Sequence, residues 1–277
     1  MFRLSPQHAI WIPISTCLLL LSLLIALTWH ADSTHATYTH QSVVSLGALR
    51  PTMTTARQTY WQVGVVAGGD GQHVSAMRTR IRTHLPHTVA DKTTDYFWIG
   101  SYLADGSFIQ IGYAIPWYDA QPRWFFCAFD PNGTKMQCPL GEPQSAGPAE
   151  AWHSYTLIAT RVQPDHWLWV AQIDDHVIGS IPEQVGSTGV ATPGVFVEQS
   201  AFAPHAATND LGPVEFSPAI EVAQGGASTT HFTAATTGNV AYSTLDVCPP
   251  YGVGLAGKND VLLGTDLPCL PAGTYLW

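Results

Sequence analysis

Between residues 60 and 222, apolar and polar side chains alternate over short runs, each followed within about four residues by glycine, proline, asparagine or aspartate. Successive side chains of an extended strand point to opposite faces, whereas a helix repeats its apolar stripe roughly every 3.6 residues, so the pattern specifies strands and turns. Val74 to Arg82 is the clearest run. Met77, Thr79 and Ile81 share one face, and Arg78, Arg80 and Arg82 share the other, which must meet water. Further strands are predicted at Tyr60 to Val66, Tyr96 to Tyr102, Phe108 to Tyr113, Trp124 to Phe129, Trp152 to Arg161, Trp167 to Ile173, His176 to Ile181, Phe196 to Ser200 and Pro213 to Val222. Turns fall at Asp105-Gly106, Asp130-Pro131-Asn132-Gly133 and Asp174-Asp175. Strands at this spacing predict an all-β, two-sheet antiparallel sandwich, for which a jelly roll is the simplest closure.

Composition agrees with short strands and many turns: charged residues are only 11%, while the chain carries 24 Gly and 20 Pro. A net charge of −9, with 11 Lys plus Arg spread thinly, offers no face to neutralise phosphates, which excludes nucleic acid as a partner.

Residues 9–28 form a charge-free apolar run, preceded by Arg3 and followed by Asp32. At 1.5 Å per residue, 20 helical residues span about 30 Å, enough to cross a bilayer, and the charge order sends the remainder of the chain outside. The run is either a transmembrane anchor with residues 1–8 as a cytoplasmic tip, or a signal peptide with the weak processing pattern Thr34-His35-Ala36. Residues 29–58, rich in Thr and His, read as a stalk, and 59–223 as the sandwich. After the linker Gln224-Gly225-Gly226-Ala227-Ser228, residues 224–277 read as a small β extension closed by Cys248 and Cys269. Cys127 and Cys138 flank the Asp130 to Gly133 turn, so two disulfides are expected and, with them, an extracellular location.

Motifs for the large enzyme classes are missing: there is no His-Glu-x-x-His, phosphate loop, Gly-x-Ser-x-Gly elbow or dinucleotide fingerprint. No metal and no cofactor is expected. His84 and His87 have no third ligand at a readable spacing, and the Asp130 turn lacks the further carboxylates of a calcium loop.

The segments Trp61 to Val66, Phe97-Trp98-Ile99-Gly100, Phe108-Ile109-Gln110-Ile111-Gly112-Tyr113, Trp124-Phe125-Phe126, Val195-Phe196-Val197-Glu198 and Gly212-Pro213-Val214-Glu215-Phe216 together resemble the glutamic peptidases (eqolisins) over about residues 60 to 222. The resemblance implies a concanavalin A-like sandwich, the fold also used by lectins and glucanases. It further implies a Gln and a Glu on the concave sheet, the carboxylate activating water and the amide stabilising the oxyanion. Gln110 matches the Gln. The catalytic Glu is matched by Gly194, and the acidic residue of the Trp-Tyr-Glu-Trp motif by Phe126. Glu198 lies four residues beyond Gly194 on the same strand face, about 13 Å away at 3.3 Å per residue. If the chain is an acid peptidase, Gln110 with Glu198 is the candidate pair.

A glycosidase needs two carboxylates facing across a groove, and the glutamates Glu142, Glu150, Glu183, Glu198, Glu215 and Glu221 show no such strand motif. A binding module needs only flat aromatic surface. Trp117 and Tyr118 follow Pro116 in a polar loop without an alternating partner and are the candidate ligand contacts. The expectation is therefore a cell-surface or secreted binding or structural module for carbohydrate or protein, attached through residues 9–28 if these are uncleaved. A peptidase is the first alternative and a glycoside hydrolase the second.

Overall fold

The computed structural model describes residues 58–67, 74–86, 93–103, 105–163, 166–181, 192–202, 210–223, 231–242 and 248–277. The expected helix at 9–28 and nearly all of the stalk lie outside the described residues. Among the described residues no helix is long and apolar enough to cross a membrane.

The alternating runs become strands β1 (Gln58–Val66), β2 (Ala76–Arg82), β3 (Thr93–Tyr102), β4 (Phe108–Ile115), β5 (Arg123–Phe129), β6 (Lys135–Gln137), β7 (Trp152–Gln163), β8 (His166–Ile173), β9 (His176–Ile181) and β10 (Gly194–Phe202). The predicted Pro213 to Val222 strand is divided into β11 (Val214–Phe216) and β12 (Glu221–Ala223), because Pro218 has no N–H to give to a ladder. Then come β13 (Thr233–Ala234), β14 (Asn239–Tyr242), β15 (Tyr251–Leu255) and β16 (Val261–Thr265). They form two antiparallel sheets in the orders β14-β1-β10-β3-β4-β5-β6 and β15-β16-β11-β2-β7-β8-β9, with β12 beside β2 and β13 beside β12.

The turns follow from local chemistry. Asp174 and Asp175 both take positive φ (50° and 64°), the twist a two-residue hairpin needs between β8 and β9. The Asp130 carboxylate accepts the N–H groups of Asn132 (2.9 Å) and Thr134 (2.7 Å), shaping the β5–β6 turn. Cys127–Cys138 staples that hairpin and Cys248–Cys269 the C-terminal segment; both suit an oxidising, extracellular location.

Between the sheets, Val63, Val65, Phe97, Ile99, Ile109, Ile111, Tyr113, Val195 and Val197 meet Met77, Ile81, Tyr155, Leu157, Trp169, Phe216 and Leu263 in one buried core. Burying each large apolar side chain contributes roughly 1.5–3 kcal/mol. Strand β2 divides as its alternation requires: Met77, Thr79 and Ile81 are buried, Arg80 and Arg82 are exposed, and half-buried Arg78 pairs with Glu221 at 2.7 Å.

Residues 231–242 and 248–277, within the segment expected as an appended extension, supply strands to both sheets. Strand β14 lies along the free side of β1, and β16 along β11. Tyr251 of β15 reaches the interior, where its hydroxyl donates to Gln199 Oε1 (3.2 Å) while Gln199 Nε2 donates to buried Asp95 (3.1 Å). Removal of the Tyr251 hydroxyl by Tyr251→Phe is expected to cost about 1 kcal/mol in urea unfolding. A chain ending at Ala223 should lose its cooperative transition altogether.

Burial also raises the Tyr113, Tyr155 and Tyr251 phenols above the ordinary 10. An unfolded tyrosine ionises near 10, so the stability held by these neutral phenols is whole below that pH and is lost as pH rises beyond it. Melting temperature should hold up to about pH 10 and then fall, with phenolate absorbance appearing together with unfolding.

Candidate functional site

The first sheet carries a second apolar layer on its outer face, formed by Trp98, Ala114, Phe125, Cys127, Phe129, Phe196 and Ala241. Strand register orders this face into rows. One row runs Asn239, Val66, Gly194, Gly100, Gln110, Cys127. The next runs Ala241, Gly64, Phe196, Trp98, Gly112, Phe125. The third runs Gln62, Glu198, Tyr96, Ala114, Arg123.

The middle row is an aromatic floor. Trp98 and Phe196 stack with centroids 4.4 Å apart, Phe108 meets Trp98 edge-on at 5.7 Å, and Tyr96 meets Phe125 edge-on at 5.4 Å. Glycines make room for the rings. A Cβ at Gly194 would stand 2.6 Å from Phe196 Cε2, 2.8 Å from its Cζ and 2.9 Å from Val66 Cγ1, and one at Gly64 would strike the same phenyl ring. The position matched to the family's catalytic carboxylate is thus side-chain-free and roofed by Phe196.

Gln110 is half-buried on this face, in direct register with Gly100 and one strand further from Gly194. Among the described residues its amide makes no hydrogen bond. Glu198 is half-buried on the same face but two rows away, opposite Gln62 and Tyr96. Two strand spacings (about 10 Å) and four residues along the strand (about 13 Å) separate Gln110 from Glu198 by about 16 Å at Cα, so the register does not bring this pair together. Phe126 points the other way, into the inter-sheet core beside Trp124. Glu215 belongs to the second sheet, where a cleft of about 140 Å³ also holds Arg82, His84 and Glu150; Arg82 pairs with Glu150 and stands 3.8 Å from Glu215. His87 lies outside the described residues.

Trp117 and Tyr118 are 40% and 57% exposed. They occupy a turn closed by Ala120 N–H donating to Pro116 O (2.9 Å), at the end of β4 nearest the Glu198 row. The Arg123 guanidinium lies 5.7 Å over the Tyr118 ring, pairs with Asp119 and donates to Gly141 O (3.3 Å), which fixes the turn against the sheet. At the opposite end Tyr102 packs on Phe108, and burial pushes its phenol up to about 12. Sequence reasoning did not single out Arg123 or Trp98 as site residues. The place of Arg123 depends on the return of the chain at Gly141, whereas the Trp98 signal was present in the Phe97-Trp98-Ile99-Gly100 run.

No family model and no curated protein matches the chain. Among solved structures, Scytalido-glutamic peptidase with a peptide-based transition-state analogue is similar at 12% identity, covering 75% of this chain and 99% of its own, with a TM-score of 0.49. SCP-B, a member of the eqolisin family in complex with the tripeptide Ala-Ile-His, is similar at 10% identity over 75% and 99% of the two chains, with a TM-score of 0.47. Bacillus licheniformis β-glucanase is similar at 12% identity over 69% and 66%, with a TM-score of 0.32.

Gly194→Ala should lower stability by about 1–3 kcal/mol through overpacking against Phe196. Combining it with Phe196→Ala should cost less than the sum of the two changes, and thermal melts of the four proteins measure that coupling. Strict additivity would mean that the ring does not occupy this space.

Proposed function

We propose that this chain is an exported, non-catalytic binding module with a concanavalin A-like sandwich, recognising carbohydrate or protein on the outer face of its first sheet. Residues 9–28 deliver it across a membrane and either remain as an anchor or are removed. The observation that carries the reading is the Phe196 ring over Gly194. A general base for peptide hydrolysis must sit within hydrogen-bond reach of the water it activates, next to the group that receives the oxyanion. Here the residue facing Gln110 across one strand has no side chain, and the space above it is filled by a phenyl ring. What remains accessible is the rim of that buried aromatic row, half-buried Gln110, Tyr96 and Glu198, with Trp117 and Tyr118 exposed at one end. This suits contact with a flat ligand better than bond cleavage.

The test is a pair of assays on one folded preparation. Casein should remain intact at every pH from strongly acidic to neutral, and Gln110→Ala should change nothing. Binding on a combined glycan and peptide array should fall about tenfold or more in Trp117→Ala and Tyr118→Ala. Casein cleavage abolished by Gln110→Ala or Glu198→Gln would instead establish the acid peptidase.

A further inference from the structure

Strand β2 ends at Arg82, and the chain beyond it is fixed against the start of β7. Thr83 N–H donates to Ala151 O (2.7 Å), its hydroxyl donates to Ala146 O (2.9 Å), and Glu150 N–H donates to Thr83 O (2.8 Å). Glu150 takes a φ of 70°, a left-handed conformation unfavourable for a residue with a Cβ, and its carboxylate meets Arg82. On the other side of β2, Phe216 of β11 is in register with Ile81, which sets Glu215 beside Arg82. Val214 and Phe216 are buried, so Glu215 between them faces away from the core, opposite Leu262 of β16.

Between these two walls lies the cleft of about 140 Å³, with Pro213, Val214 and Leu262 as its apolar lining. Its charges do not balance. The Arg82 guanidinium pairs with Glu150 but stands 3.8 Å from Glu215, beyond hydrogen-bond reach. Among the described residues the Glu215 carboxylate accepts no hydrogen bond, although its side chain is only 27% exposed. One guanidinium thus serves two carboxylates, and Glu215 is aimed into the cleft without a donor.

The lining narrows what would fill it. A carboxylate partly withdrawn from water is best met by a charged N–H donor. A metal ion would need several ligands, and among the described residues no group of three or more gathers. Apolar walls beside the carboxylate suit the methylene stem of lysine or arginine, which lies along apolar surface while its head reaches polar groups. Whole small-molecule ligands occupy clefts of about 300–1,000 Å³, so this smaller one suits a single side chain. A chain of net charge −9 draws basic partners towards itself.

We infer that this cleft binds a basic side chain of a partner polypeptide, its cationic head at Glu215 and Glu150 and its aliphatic stem on Pro213, Val214 and Leu262. The site is on the second sheet and not on the first-sheet rim described above, so it goes beyond that reading and is tested independently of it.

The experiment titrates the full chain with acetyl-Ala-Lys-Ala-amide and acetyl-Ala-Arg-Ala-amide, followed by saturation-transfer difference NMR. The same peptides with Gln or Glu at the centre are the neutral and acidic controls. At least one basic peptide should bind about tenfold or more tightly than the neutral one, with the strongest transfer at its side-chain methylenes. Either basic peptide supports the inference, and the tighter of the two identifies the head group. Glu215→Gln, which keeps the shape and removes the charge, should weaken that binding about tenfold. Glu150→Gln gives a second measurement where Glu215→Gln does not fold, and should weaken binding severalfold. Glu142→Gln makes the same charge change at an exposed glutamate outside the cleft and should leave binding as it was. Equal weakening by Glu142→Gln, binding indifferent to the cleft variants that fold, or a neutral peptide that binds as tightly as the basic ones overturns the inference. So does binding of no peptide.

Discussion

The ring of Phe196 and the two glycines beneath it, Gly64 on β1 and Gly194 on its own strand, are parts of one packing unit. A β-strand normally carries a side chain at every second position of a face, and those side chains hold neighbouring rings upright. With hydrogens in their place the phenyl ring settles on the backbone, Trp98 stacks against it, and Phe108 closes on the edge of Trp98. This second apolar layer makes the first sheet apolar on both faces. The sheet is thereby a septum between the inter-sheet core and an aromatic outer floor, and its polar groups are pushed to rows on either side of that floor.

The inner side is governed by a different constraint. Asp95, Gln199 and the Tyr251 hydroxyl are buried between the sheets and are tied by directional hydrogen bonds. Buried polar groups are tolerable only when their partners are present. Because Tyr251 comes from the last part of the chain, the interior of the sandwich is incomplete until β15 and β16 have docked. A segment that reads as an accessory from its linker composition is thus an ingredient of the central domain.

The strands were legible because their alternation is local. Arg78, Arg80 and Arg82 announce a wet face whatever else the chain does, and aspartates at 174 and 175 announce a tight turn. The Gly194 substitution was also legible, through the Val195-Phe196-Val197-Glu198 run. What could not be read was the consequence of long-range register. Gln110 and Glu198 are both on the outer face, yet only pairing through β3 reveals that two rows separate them. Likewise Phe126 looks from its motif like a site position, but the parity of β5 turns it into the core. A shift of one residue reverses the face of a whole strand, and single-sequence periodicity cannot number the partner strand. The role of residues 224–277 was hidden for the same reason, since β14 is short and its partner β1 lies far away in sequence.

The borders of the two sheets bear on how many copies can crowd together. An open strand edge is a template on which another chain can add. Here the β14 border is bonded along residues 274–276, Val253 of β15 donates to Pro268 O, and the β6 and β9 borders meet where Gln137 Nε2 donates to Ser180 O. Each of these four borders is thus engaged by the protein itself. Molecules at high concentration gain little by pairing strand to strand along these borders, and their encounters are left to side-chain surfaces instead of backbone polymerisation.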